Sequence, residues 1–315
     1  VLDQFEEGKE PAPALWEKLF DTPGYSMLVN REFSKDVFRK YFRAAYLDSY
    51  AEQKKEILAA AEEAGSWFWR WFPKSMLKEL EWTRDHREQV RTKMVSFEEY
   101  PYTGKAAEQA LAFLPEESVS SYPDVSFVIF NDSRGWDPVV MSLNIMAREE
   151  AGWSPAVKNR LAKAGRSINW PHVLYFGHEF FHHFRNVKKE ITMPERGSSD
   201  YTLVWLLDQI ENEGIADLIN VRQLYVPGGL LDGTEEAKKE HRERKNAAGE
   251  IAALNRILCG IADHPEWSYG LGKQAARSIS RSGHAAGYYM ARTIYLQQGK
   301  DKIKSVSRNP ILFFY

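Results

Sequence analysis

GHEFFHHFR, residues 177–185, places His178, Glu179 and His182 in the pattern H-E-x-x-H. On a helix, residues four apart stack on one face, so both imidazoles reach a single metal ion. Glu179 lies about 100° round the helix from His178, close enough to take a proton from a water at that metal. Val173, Leu174, Tyr175, Phe176, Phe180, Phe181 and Phe184 make the surrounding stretch apolar nearly all round. A helix of that kind is buried, and polar side chains inside it need partners. The bland alternative is a pair of packed or surface histidines. What separates the two is whether a third ligand and its supports exist elsewhere in the chain.

Working outward, Asn169-Trp170-Pro171 opens this helix, with Pro171 suited to a first turn, and the pattern continues to about residue 188. KKEITMPERGSSDY, 188–201, reads as a loop. YTLVWLLDQIENEGIADLINVRQLYV follows as a long helix that ends at Pro227-Gly228-Gly229. The charge run TEEAKKEHRERK, 234–245, reads as a solvated helix face leading into the apolar NAAGEIAALNRILCGI. A last helix is predicted over about 279–298, where Gly283, Gly287 and Ala291 form a small-residue stripe that allows close approach to another helix. On the N-terminal side, residues from about 14 to 113 carry helical periodicity, with Pro73 and Gly104 expected to separate helices. The aromatic run SWFWRWF, 66–72, reads as a core plug. VSFVIF, 125–130, and the alternating VVMSLNIM, 139–146, predict two strands joined by the turn NDSRGWDP in an antiparallel hairpin. The expected class is α+β, mainly α-helical. The expected division is 1–188, with the N-terminal helices, hairpin and H-E-x-x-H helix, and 189–315, a helical lobe carrying the third ligand.

Composition narrows the function classes. The chain has 315 residues, 43% hydrophobic and 27% charged, with a net charge of −2. That is enough chain to bury a large core or two lobes. It lacks the basic footprint of a nucleic-acid or membrane-surface protein. Cys259 is the only cysteine, which excludes an intrachain disulfide and a cysteine-based zinc cluster. No apolar run reaches the roughly 18 residues of a membrane span. Because Val1 is not a methionine, compartment stays open, and an extracytoplasmic location follows if a signal segment was removed.

The third ligand decides the class. The extension H-E-x-x-H-x-x-G-x-x-H is absent, since Arg185 and Lys188 occupy its Gly and His places. Cys259 lies downstream, in ILCGI, away from any upstream cysteine-ligand context. The long helix offers Asn212-Glu213-Gly214-Ile215-Ala216-Asp217, with Glu213 and Asp217 on one face. Glu213 completes a two-His, one-Glu set that leaves a fourth position open. Asp217 is placed to accept the outer N–H of a ligand histidine. Glu211 is the rival third ligand, though it points away from the Asp217 face.

H-E-F-F-H followed by N-E-G-I-A-D resembles the gluzincin, or thermolysin-like, zinc metallopeptidases, which carry H-E-x-x-H on one helix and N-E-x-x-x-D on the next. The likeness covers the two motif helices, with a longer gap between them than in thermolysin and no match across the N-terminal helices, so a compact member distinct from thermolysin is implied. The resemblance implies a zincin-like, two-lobed fold, one zinc ion on His178, His182 and Glu213, Glu179 as general base and acid, and Asp217 behind the ligands. It implies an oxyanion donor from the C-terminal lobe, for which His284 and Tyr288, four apart on the last strong helix, are the candidates. It also implies an edge strand that pairs with an extended peptide, which points to 139–146 with Asn144 facing the substrate. The expected activity is zinc-dependent hydrolysis of peptide bonds in a peptide or protein. The competing readings are a scaffold with a retained zinc site and no turnover, and a zinc-dependent amidase acting on a non-peptide substrate.

Overall fold

The structure is a computed structural model that describes residues 1–116, 121–280 and 283–315. It is mainly helical. In chain order the elements are α1 Leu2–Glu6, α2 Pro13–Phe20, α3 Pro23–Arg31, α4 Lys35–Tyr46, α5 Ala51–Glu63, α6 Trp67–Asp85, α7 Arg87–Glu98 and α8 Tyr102–Leu111. Strands β1 Val125–Val128 and β2 Val139–Ser142 and helix α9 Leu143–Ala151 follow. Then come α10 Pro155–Lys163, α11 Trp170–Val187, α12 Tyr201–Leu224, α13 Glu235–Arg244, α14 Ala247–Asp263, α15 Ser268–Ser278, α16 His284–Val306 and α17 Pro310–Phe314. Among the described residues no helix is long and apolar enough to cross a membrane.

The chain forms two compact units. Unit 1 comprises Val1–Pro101 and Pro123–Gly152, and unit 2 comprises Tyr102–Tyr122 and Trp153–Tyr315. The division expected at residue 188 falls between α11 and α12, and both of these helices lie in unit 2.

Unit 1 is organised by aromatic packing. Phe33 stacks on Phe72 with ring centroids 4.3 Å apart, and Phe38 and Phe130 lie against one another at 5.9 Å. Such pairs add to the area term because ring edges meet ring faces or stack offset. Within the 66–72 run Phe72 is buried, Phe68 and Trp71 pack against the same cluster, and Trp69 stays half exposed. Pro73 does not separate helices: it is accommodated inside α6.

The expected antiparallel hairpin is not present. β1 and β2 pair in parallel, Val125 opposite Val139 through Val128 opposite Ser142. The turn itself occupies the hairpin partner's place, because Arg134 bridges Val140 in antiparallel sense through both backbone bonds, 2.8 and 2.9 Å. The alternating pattern therefore ran into a helix: Leu143 starts α9, and every residue of β2 is buried.

Unit 2 is built round α11. Phe176, Phe180, Phe181 and Phe184 are buried on it. The small residues Ala106, Ala107 and Ala110 of α8 are buried completely. Gly177 lets this packing close, since a Cβ there would lie 3.0 Å from Ile219 and 3.1 Å from Gln109. The predicted small-residue stripe on α16 is used in the same way. A Cβ on Gly287 would lie 2.1 Å from the Ile210 carbonyl oxygen, and one on Gly214 would lie 2.3 Å from the Gly287 carbonyl carbon. Helix α16 starts at His284, later than the 279 expected, because Gly283 precedes it with φ of 98°, a left-handed conformation that suits glycine; residues 281 and 282 of that expected helix lie outside the described residues.

Backbone cannot yield at the Gly214–Gly287 contact as a flexible side chain would. Gly287→Ala and Gly214→Ala should each destabilise the protein by about 1–3 kcal/mol, the usual range for overpacking. Gly249, inside α14 with nothing within 4 Å of its added Cβ, is the control. Gly249→Ala should be neutral or stabilising by up to about 1 kcal/mol through helix propensity. Urea midpoints of the three variants check this, and equal midpoints for all three would show that the close contact carries no constraint.

Candidate metal centre

Helices α11 and α12 run antiparallel. Moving down α11, Arg185 meets Asp208 and Glu211, His182 meets Asn212 and Glu213, His178 meets Glu213 and Asp217, and Gly177 lies against Ile219. The two motifs are thereby brought face to face. His178 Nε2 and His182 Nε2 are 3.0 Å apart, and Glu213 Oε2 lies 3.5 Å from the first and 3.3 Å from the second. Zinc bonds of about 2.0–2.1 Å in tetrahedral array separate neighbouring ligand atoms by about 3.3 Å. The three measured separations bracket that value, so the donor set fits zinc. His178, His182 and Glu213 are a candidate metal-binding triad.

The outer nitrogens are held from behind. His182 Nδ1 is 2.9 Å from Asn212 Oδ1, so its N–H donates there and Nε2 keeps its lone pair for the centre. Asp217 Oδ1 is 3.5 Å from His178 Nδ1, a charge contact at the edge of hydrogen-bonding range. Asp217 Oδ2 is closer to His284 Nδ1, at 3.1 Å, and to Arg244 Nη2, at 2.8 Å. His284 Nε2 in turn lies 3.3 Å from Glu213 Oε2. His284 is thus drawn into the same cluster from the N-terminus of α16.

The electrostatics favour a cation. Burial alone would raise the Glu213 carboxyl, but His284 and His182 hold it well below the usual range. Asp217 is likewise lowered, burial being outweighed by His284 and Arg244. Burial opposes charge on His182, yet Glu213 and then Glu179 push it up to about 9. The carboxylates that favour positive charge on that imidazole would equally favour a metal cation in place of the proton. Glu179 is half-buried beside His178.

Other expected residues fall as follows. Glu211 is fully buried and engaged by Arg185 and by the Arg308 backbone N–H at 3.1 Å, so it is turned from the histidine pair. Arg185, at the place where the extended His motif has its glycine, is itself fully buried and bonds Asp208 at 2.6 Å. Tyr288 is buried, its ring 5.1 Å from the Arg244 guanidinium carbon, and its hydroxyl has no hydrogen-bond partner among the described residues. Burial pushes the Tyr288 phenol up, against the opposing pull of Arg292, Arg244 and Arg222. Asn144 belongs to unit 1, in the first turn of α9. It is fully buried; its Oδ1 accepts from the Phe130 N–H and Ser142 Oγ, both at 3.0 Å, and its Nδ2 donates to Glu79 at 3.1 Å. Two partners escaped the sequence reading. Asn212 stood inside the quoted motif without a role. Arg244 stands next to last in the 234–245 charge run, and its side chain is largely buried on Asp217 instead of solvated.

Removing the Asn212 acceptor should loosen His182 without touching a ligand atom. Asn212→Ala is expected to weaken zinc affinity about 10–100-fold, the usual effect of losing a ligand's outer hydrogen bond. Competition against a chromophoric chelator measures this, and unchanged affinity would show that Asn212 does not orient the imidazole. No curated protein and no solved structure matches the chain. A family profile described as "Putative zinc dependent peptidase (DUF5700)" matches residues 16–315. With nearly its whole length matched, and with a His-His-Glu triad suited to zinc at its centre, the chain belongs to the family so described.

Proposed function

We propose that the protein is a zinc metallopeptidase of the gluzincin type, hydrolysing peptide bonds with Glu179 as general base. The observation that carries the proposal is the convergence of His178, His182 and Glu213 from antiparallel helices at zinc-compatible separations. Zinc held there supplies Lewis-acid polarisation of a carbonyl and acidification of water.

The protein's own groups do the rest. Glu179 stands one residue from His178, half-buried, and takes the proton of the attacking water before passing it to the leaving amine. His182 keeps a fixed tautomer through Asn212, and the Asp217 carboxylate lies 3.5 Å from His178 Nδ1, where its charge favours a proton on that outer nitrogen. Of the two donor candidates, His284 is the better placed. Its Nδ1 is engaged by Asp217 and its Nε2 faces Glu213, so an N–H there meets negative charge growing on a carbonyl oxygen. Tyr288 makes no such contact with the triad. Asn144 has its hydrogen-bonding atoms occupied within unit 1, and the reading does not depend on it.

Glu179→Gln should bind zinc one-to-one, by elemental analysis, and lose about 10²–10⁴-fold in hydrolysis of a broad peptide library. His178→Ala should lose both metal and activity. Full activity in Glu179→Gln would remove Glu179 from its role. A zinc-loaded wild type that cleaves no peptide would favour the scaffold reading instead.

A further inference from the structure

Beyond the metal centre, α12 and α16 run in the same direction. Gly283 lies against Ile210, Gly287 against Gly214, and Arg222 over the ring of Tyr295, 4.9 Å from its centre. Glu213 and His284, both in the metal cluster, sit toward the N-terminal ends of this contact. Arg222 follows Glu213 by about two and a half turns, and Arg292 follows His284 by about two, which puts both about 12–14 Å along the axes. Side chains on a helix lean toward its N-terminus. Arg222 follows this lean, its Nε donating to the Leu218 carbonyl one turn back at 3.4 Å, and the same tendency directs the Arg292 stem back along α16.

Among the described residues neither arginine holds an acidic partner, although Arg222 Nε donates to the Leu218 carbonyl and its guanidinium lies over Tyr295. Arg292 is exposed and Arg222 half-buried, and among the described residues neither forms an ion pair with a carboxylate. This contrasts with Arg185, Arg244 and Arg308, each of which holds an acidic partner. Tyr288 lies one turn before Arg292 on the same helix face. Its buried hydroxyl finds no partner among the described residues. A buried polar group left unbonded is unfavourable, and a neighbouring arginine cannot relieve it by accepting. Asp217, whose charge also acts on this hydroxyl, is engaged by His284 and Arg244. Two guanidinium groups without a carboxylate partner and an orphan hydroxyl donor share one complement, an anionic oxygen pair.

We propose that Arg222, Arg292 and the Tyr288 hydroxyl form a subsite for a carboxylate of the peptide substrate, from its C-terminus or from an acidic side chain near it, so that cleavage falls close to C-terminal ends. The proposal rests on the peptidase reading above. With the length of the arginines allowed for, the carboxylate sits about 7–10 Å from the metal centre, which two or three extended residues span. The products are accordingly short C-terminal fragments, of constant length where the terminal carboxylate is the one held.

The test uses zinc-loaded Glu179→Gln protein and three N-acetylated hexapeptides. One has uncharged side chains and a free C-terminal carboxylate, one is its C-terminal amide, and one is the amide with Glu at the fifth position. Fluorescence anisotropy should show the free acid binding at least about tenfold tighter than the neutral amide. In Arg292→Ala, an exposed position where folding is not at stake, and in Arg222→Gln that preference should fall to about twofold or less. Tight binding by the Glu amide assigns the subsite to an acidic side chain; weak binding assigns it to the C-terminus. Equal binding of acid and neutral amide overturns the subsite, as does a preference that survives in both arginine variants. Wild-type digestion of neutral peptides of six, eight and ten residues then tests the reading beneath it. If no peptide is cut while the acid preference persists, the peptidase reading fails and the anion subsite stands.

Discussion

The backbone contact between Gly214 and Gly287 is the constraint on which the rest of unit 2 depends. Neither position has room for a methyl group, so α12 and α16 meet at main-chain distance. Glu213 immediately precedes the first glycine, and His284 lies one turn before the second. Fixing the contact fixes the distance from Glu213 to His284 at 3.3 Å and leaves Asp217 one turn along, where it reaches both His178 and His284. A side-chain-to-side-chain crossing, with axes 8–10 Å apart, would hold these groups less closely. The third element, α11, is brought to the same place by Gly177 against Ile219.

Charge is distributed along the α11–α12 seam in two layers. One turn above the triad, Arg185 and Lys189 meet Asp208 and Glu211 in a closed set of opposite charges. Breaking such a buried set leaves an unpaired ion, whereas intact it orients its members. It removes Glu211 from the metal layer and fixes the register in which α11 faces α12. Below it, Glu213 and Asp217 outnumber the fixed cations near them, with only Arg244 held on Asp217 among the described residues. A layer with spare negative charge beside two imidazoles is the electrostatic definition of a cation site. Neutrality above and negative charge below are consequences of the same pairing.

Much of this was readable from local pattern. The i,i+4 spacing of His178 and His182, and of Glu213 and Asp217, depends only on helical periodicity, which the apolar stripes of 170–187 and 201–224 declare. The small-residue stripe on the last helix likewise announced a close packing partner. The β segment was misread because alternation records burial, not pairing direction. Val139 to Ser142 is buried on both faces, and its antiparallel neighbour is the single residue Arg134, inside what reads as a turn. Arg244 was misread because a run of charges has no apolar stripe to show which of its members turns inward.

The sequence by itself determined the chemistry available: two imidazoles and a carboxylate on one helix face, two carboxylates on another, and buried helices to carry them. These follow from residue type and from a period of 3.6, which act over neighbouring residues. Only the tertiary structure decided that Glu213 and not Glu211 faces the histidines, that Asn212 holds His182, and that Arg244 and His284 meet on Asp217. Those outcomes depend on helix register and on close approach at Gly177, Gly214 and Gly287. Such contacts join residues far apart in the chain, and no local pattern encodes their distances.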